Sequence, residues 1–135
     1  YDGSGRLVTV TVDETPDNAA DNLTTPETLY TLTYTYDGTS KRVASVTQTD
    51  GASLAISYIW DTATSTYRVS QLVQTAALGD TRTTTLSYTD EGNGLRRTEV
   101  IDPRGQVTKI WSKIATVELT RVMAPPATSG APGAA

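Results

Sequence analysis

Residues 29–36 alternate without a break. Tyr30, Leu32, Tyr34 and Tyr36 fall on one side, and Thr31, Thr33 and Thr35 on the other. A period of two is the signature of a strand with one face apolar. The run Thr81-Arg82-Thr83-Thr84-Thr85-Leu86-Ser87-Tyr88 closes in the same way. Reading this alternation along the chain predicts strands near 6–12, 29–36, 42–48, 53–60, 67–75, 81–88, 96–101, 106–111 and 114–122. No window carries a helical period. Asp37-Gly38, Asp50-Gly51 and Asp102-Pro103-Arg104-Gly105 separate neighbouring runs. Such turns join strands adjacent in sequence, so the expected fold is all-β, with at least seven strands paired as sequential antiparallel hairpins. At Asp50-Gly51 the pattern predicts a two-residue type I′ turn, because Gly accepts the positive φ that turn demands.

Two stretches break the pattern. Asp13–Thr28 is polar, carries Pro16 and Pro26 and has no period. It reads as an exposed loop inserted in the first hairpin. From Ala124 the text is APPATSGAPGAA, which offers no large apolar group to bury and reads as a linker or disordered tail over 124–135. The expected organisation is one sheet segment over 1–123 followed by that tail.

The strands recur with a grammar. An aromatic–Asp pair opens each unit, a short turn follows, and an Arg with an aliphatic residue starts the next strand. The copies are Tyr1-Asp2 with Arg6-Leu7, Tyr36-Asp37 with Arg42-Val43, Trp60-Asp61 with Arg68-Val69, and Tyr88-Thr89-Asp90 with Leu95-Arg96-Arg97. Onsets at 1, 36, 60 and 88 give intervals of 36−1=35, 60−36=24 and 88−60=28. The first exceeds the others because it contains the Asp13–Thr28 insertion. A self-similar period marks repeat architecture, in which each unit buries its face against its neighbours. The chain opens on the first residue of its own repeat, and is expected to be a fragment of a longer polypeptide.

Composition sharpens this picture. Of 135 residues, 37% are hydrophobic, with no Phe and one Met, while Thr occupies 26 positions. Thr is β-branched and suits a pleated, half-exposed surface, so a β-fold with a thin core is expected. The net charge of −4 lacks the basic stripe that nucleic-acid binding needs. No apolar run approaches the length of a membrane-spanning helix. The absence of His removes the commonest general base and metal ligand, and the absence of Cys removes disulfide and thiolate chemistry.

Each candidate constellation has a structural reading beside its functional one. The Asp of each copy can accept turn N–H groups, and Arg6, Arg42 and Arg68 can pair with neighbouring Asp residues along the sheet. Asp13, Glu14, Asp17, Asn18, Asp21 and Asn22 carry oxygen ligands of the kind Ca²⁺ takes, but their spacing lacks the central Gly of an EF-hand, and a solvated loop is the expectation. Ten Asp and five Glu supply carboxylate pairs by chance alone, and none sits in a motif for glycoside hydrolysis. Tyr30, Tyr34, Tyr36, Tyr58, Trp60, Tyr67, Tyr88 and Trp111 could stack on sugars if a set faced outward, although packing within hairpins accounts for them. No residue is assigned a catalytic, cofactor-binding or metal-binding role, and no cofactor is expected.

These repeats resemble the YD repeat of the Rhs family, which also occurs in teneurins and in the BC shells of insecticidal toxin complexes. The family unit reads roughly Tyr-Asp-x-x-Gly-Arg-Leu-x-x-Val-x-Asp-x-x-Gly-x-x-x-x-Tyr-x-Tyr-Asp. Tyr1, Asp2, Gly5, Arg6 and Leu7 fit its opening, and Tyr34, Tyr36 and Asp37 its close. Glu99-Val100-Ile101-Asp102-Pro103-Arg104-Gly105 resembles the Val-x-Asp-Pro-x-Gly turn common in such proteins, and the likeness runs from residue 1 to about 111. Trp60 replaces a Tyr, Thr89 separates Tyr88 from Asp90, and Asp61–Tyr67 lacks Gly. The resemblance implies an open, curved sheet forming part of a larger shell in a secreted or cell-surface bacterial toxin-like protein. The implied partners are neighbouring repeats of the same parent and an encapsulated effector. A carbohydrate- or cell-surface-binding module is the alternative. The self-cleaving protease core that follows the repeats in that family has no counterpart in this sequence.

Overall fold

A computed structural model describes residues 1–14 and 29–126. Among these residues there is no helix, and nine strands follow one another. They are β1 (Thr9–Asp13), β2 (Leu29–Tyr36), β3 (Val43–Gln48), β4 (Ser53–Asp61), β5 (Thr66–Thr75), β6 (Thr81–Gly92), β7 (Leu95–Ile101), β8 (Val107–Lys113) and β9 (Leu119–Met123). The sheet order is the sequence order, β1 to β9, so each strand lies beside its chain neighbours and the sheet is left open. The chain divides into two compact units, Tyr1–Ser57 with Leu72–Arg82 and Tyr58–Gln71 with Thr83–Ala135.

In the first unit the register explains the composition. Thr9, Thr33, Thr47 and Ser53 stand in one row across β1–β4, and Thr35, Ser45 and Ala55 in another. The hydroxyls of Thr35 and Ser45 bond at 2.6 Å. Cross-strand hydroxyl pairs of this kind stabilise one face of a sheet without charge. Val10, Val12, Tyr30, Leu32, Tyr34, Val46 and Leu54 occupy the alternate positions. In the second unit Leu86, Tyr88, Thr98, Val100, Ile110 and Val122 alternate with Ser87, Arg97, Glu99, Lys109, Trp111 and Arg121. The latter form a charged ladder, in which Glu99 lies 3.2 Å from Arg97 and 3.6 Å from Lys109.

A three-residue loop recurs. Asp2 N–H donates to the Arg6 carbonyl while Gly5 N–H donates to that of Asp2, and the same two bonds close 48–52, 76–80 and 102–106. In each the fourth residue is Gly in the left-handed region, at φ 73°, 90°, 95° and 82° for Gly5, Gly51, Gly79 and Gly105. This is a type I turn followed by one left-handed residue. It corrects the type I′ expectation at Asp50-Gly51: only Gly51 takes positive φ, and Asp50 instead caps the turn through Oδ1 to the Ala52 N–H.

Strand ends account for the other differences. β1 begins at Thr9 rather than residue 6 because Asp2–Arg6 are spent on the first of these loops. β9 begins at Leu119 rather than 114 because Ile114–Val117 turn the chain, with Val117 at φ 58° despite its branched side chain. β6 runs on to Gly92 through a bulge between Asp90 and Gly92. Most of the expected insertion 13–28 and of the tail 124–135 lies outside the described residues, except that Asp13 ends β1 opposite Leu29.

Among the described residues no apolar side chain is buried. A sheet with one apolar face ordinarily packs that face against a second layer. Every position of the edge strand β9 is exposed, including Leu119 at 59% and Val122 at 54%. An open edge without Pro or inward Lys recruits other strands. The isolated chain is therefore expected to self-associate as its concentration rises, which sedimentation velocity would show. A monomer indifferent to concentration, melting cooperatively at high temperature, would contradict an open repeat.

Candidate functional site

Each hairpin copy is closed by its own Asp and Arg. Arg6 Nε lies 2.6 Å from Asp2 Oδ2, Arg42 Nη2 2.9 Å from Asp37 Oδ2, Arg68 Nε 2.5 Å from Asp61 Oδ2, and Arg96 Nε 2.7 Å from Asp90 Oδ1. The separations along the chain are 4, 5, 7 and 6 residues. The ion pair thus persists while the turn it spans changes length. This is why Asp61–Arg68 needs no Gly: Asp61 also accepts from Ala63 N–H and the Thr64 hydroxyl, which organise a longer turn. Between β8 and β9 the polarity is reversed, with Lys113 Nζ 2.7 Å from Glu118 Oε2 across an equivalent backbone closure.

The recurring aromatic does a second job. Tyr36 donates its hydroxyl to the Leu7 carbonyl at 2.7 Å, and Tyr88 donates to the Val69 carbonyl at 2.6 Å. In both copies the acceptor follows the preceding copy's Arg, and that Arg stacks on the ring, Arg6 at 4.8 Å from Tyr36 and Arg68 at 5.7 Å from Tyr88. Arg6 also donates to the carbonyls of Gly38 and Ser40 in the next turn. Arg6 and Arg68 therefore each tie one repeat to the following one.

The second unit concentrates these contacts. Asp61 and Arg96 are the buried residues among those described, at 9% and 5% exposure. Arg96 donates through Nη1 and Nη2 to both oxygens of Asp61, at 2.5 and 2.8 Å, and through Nε to Asp90. Bidentate geometry is the strong form of this pairing. Asp61 ends β4 and Arg96 lies on β7, with β5 and β6 between them in sheet order. Their contact thus requires the ends of these strands to curl toward one another. The Arg96 guanidinium, then that of Arg68, then the Thr64 hydroxyl hold the Asp61 carboxyl far below the ordinary carboxylate range. Asp61 and Asp90 in turn push Arg96 upward. Burial pushes the Tyr88 phenol up, against the pull of Arg68 and Arg96. At the first copy the Arg6 backbone N–H and then its guanidinium lower Asp2.

Chemically this cluster is closed. A carboxylate so strongly held in its charged form has no proton to donate and little affinity for one. Its oxygens already accept from two guanidiniums, a hydroxyl and a backbone N–H. Two Asp balance two Arg, leaving no net charge for a substrate.

The aromatic residues named from the sequence separate into groups. Tyr30 donates to Gln48 Oε1, Tyr36 and Tyr88 bridge repeats, and Trp111 donates its indole N–H to Glu91 beneath the Arg121 guanidinium. Tyr34 and Tyr58 are half-buried. Trp60 and Tyr67 differ: they are 49% and 46% exposed, with ring centroids 5.0 Å apart in an edge-to-face pair. Treating both tryptophans as buried packing residues would imply about 3–5 kcal/mol for truncation. The exposure of Trp60 revises that figure to about 1 kcal/mol for Trp60→Ala, the worth of an edge-to-face pair, which equilibrium unfolding in urea would measure. The Asp–Arg pairs at Arg6, Arg42 and Arg68 form as the repeat grammar implies. The pairing of Arg96 with Asp61 across strands carries no sequence signal, although its place in the fourth copy marks Arg96 as the equivalent Arg. Of the candidate Ca²⁺ ligands, Asp17, Asn18, Asp21 and Asn22 lie outside the described residues. Among the described residues no three acidic, His or Cys side chains converge on a metal-sized site, and no helix is long and apolar enough to cross a membrane.

Fold and cluster together define a class: an open antiparallel sheet of hairpin repeats, locked at the hairpin ends by Asp–Arg pairs. Comparison with protein families, with curated proteins and with solved structures found no match to the chain.

Proposed function

We propose that the chain is a structural repeat segment of a large bacterial protein of the Rhs/YD-repeat type, a scaffold or part of an encapsulating shell in a secreted or surface toxin-like assembly, and not itself an enzyme. The observation that carries this reading is the clasp itself. Asp–Arg pairs close the turn of each copy, and Tyr36 and Tyr88 hold one hairpin to the next through matching hydroxyl–carbonyl bonds. The uncovered apolar positions fit a segment whose partners are neighbouring repeats and an enclosed effector. Dye-binding and hydrogen exchange on the chain alone and joined to its flanking sequence test this. The apolar face should bind an environment-sensitive dye in isolation and lose that binding when flanked. Failure of the isolated chain to bind dye would overturn the reading, as would turnover of a glycoside or peptide substrate abolished by Asp90→Asn.

A second reading rests on Trp60 and Tyr67. An exposed aromatic pair can stack on a sugar, making the segment a carbohydrate- or cell-surface-binding module. Glycan-array binding lost in Trp60→Ala, with the melting transition intact, would favour it over the scaffold.

A further inference from the structure

We propose that Asn93 is a site of spontaneous covalent modification, through cyclisation onto the Gly94 backbone, and that the modification loosens the Asp61–Arg96 clasp. Three Asn residues occur in the chain, followed by Ala19, Leu23 and Gly94. Only at Asn93 does the next residue lack a side chain that would crowd attack by its own nitrogen.

The structure adds three independent observations. Asn93 and Gly94 form the two-residue turn between β6 and β7, both at positive φ, 53° and 72°, with Gly92 paired to Leu95. In this turn the Gly94 N–H makes no hydrogen bond among the described residues, while its carbonyl accepts from Ile114. The attacking nitrogen is therefore not held by the ladder. Asn93 is exposed, and both residues border an open hollow of about 870 Å³ with Ala63, Leu95 and Ile114, which admits the water the reaction needs.

The chemistry balances without a co-reactant other than water. The Gly94 nitrogen attacks Asn93 Cγ and the Cγ–Nδ2 bond breaks. Ammonia leaves with the proton lost from the Gly94 nitrogen, and a five-membered cyclic imide remains. Water then opens either imide carbonyl. One product is aspartate. The other is an isoaspartyl linkage, in which the backbone runs through the side chain and gains one carbon.

The position gives the product its consequence. A two-residue turn tolerates no extra backbone atom, since its twist must match that of its strands. The lengthened turn displaces Leu95 from Gly92, and Arg96 follows directly. Arg96 must reach Asp90 on β6 and Asp61 on β4 together. The reaction is thus a one-way chemical loosening of the second unit, governed by time and alkalinity.

Incubation of the purified chain at neutral and mildly alkaline pH, followed by peptide mapping, tests this. A single-dalton gain and isoaspartate are expected at Asn93, formed an order of magnitude faster than any gain at Asn18 or Asn22, and faster again at the higher pH. The isoaspartyl fraction should melt at a lower temperature than fresh protein. Asn93→Gly keeps the positive-φ turn and removes the reactive amide, so it should hold its melting temperature through the same incubation. Conversion of Asn18 or Asn22 ahead of Asn93 would overturn the site. Equal loss of stability in Asn93→Gly would overturn its link to the clasp.

Discussion

Replacing Asp61 with alanine is expected to lower the unfolding free energy by about 3 kcal/mol, the largest effect of any single side chain outside the glycine turns. Breaking a buried ion pair by deleting one partner costs about 3–5 kcal/mol because the other charge is left uncompensated. The lower end applies because Arg68 keeps 30% of its side chain in water and Asp90 still neutralises part of Arg96. Two contacts in the second unit fail together, since Asp61 joins the β4–β5 turn to β7. Chemical denaturation of Asp61→Ala, of Arg96→Met and of the double variant isolates the coupling. The double variant should be more stable than the sum of the singles implies, because it leaves neither charge alone. A cost below about 0.5 kcal/mol for Asp61→Ala would place it among ordinary surface substitutions and remove the clasp from the account of this fold.

Acid should unfold the protein from below about pH 4, after a flat plateau through neutrality. With no His or Cys in the chain, few groups titrate between about pH 5 and 8. Asp61 sets the acid limb. Its folded form binds a proton only far below the ordinary aspartate value of 3.8, which the unfolded chain retains. The unfolded state therefore takes up protons first as the pH falls. The stabilisation is complete above the unfolded value and is lost below it, at about 1.4 kcal/mol per pH unit. Asp2 shifts in the same direction and reinforces the trend. Melting temperatures measured from pH 8 down to pH 2 should be level and then fall, and the fall should be shallower in Asp61→Asn. A slope through neutral pH, or an acid limb unchanged by that substitution, would contradict this assignment.

Much of this architecture was legible in the primary structure, for local reasons. A strand's side chains alternate by geometry, so Tyr30-Thr31-Leu32-Thr33-Tyr34 declares both its conformation and its two faces. The Gly residues at 38, 51 and 105 mark real turns because left-handed backbone is cheap for them. Turn type was less legible. Asp-Gly is compatible with two- and three-residue loops, and the Asp50 cap on Ala52, together with pairing of Gln48 to Ala52, selects the longer one. Val117 shows the opposite failure: an apolar, β-branched run implies strand, yet closure of Lys113 onto Glu118 forces it to turn.

By itself the sequence determined the elements, their order and the Asp–Arg grammar of each repeat, because all three depend on contacts within a few residues of the chain. It also determined that catalysis would have to proceed without His or Cys. Tertiary packing alone shows that Arg96 serves both Asp90 and Asp61, that the Tyr36 and Tyr88 hydroxyls bridge successive copies, and that Asp61 meets Arg96 across two intervening strands. Those contacts join residues 19 to 35 positions apart. They depend on how far the strand ends curl, and no periodicity encodes curl. The same holds for burial: alternation marks Val10, Leu32, Tyr34 and Leu54 as apolar positions, but whether such a face is covered depends on the packing of a second layer, which alternation within a strand does not specify.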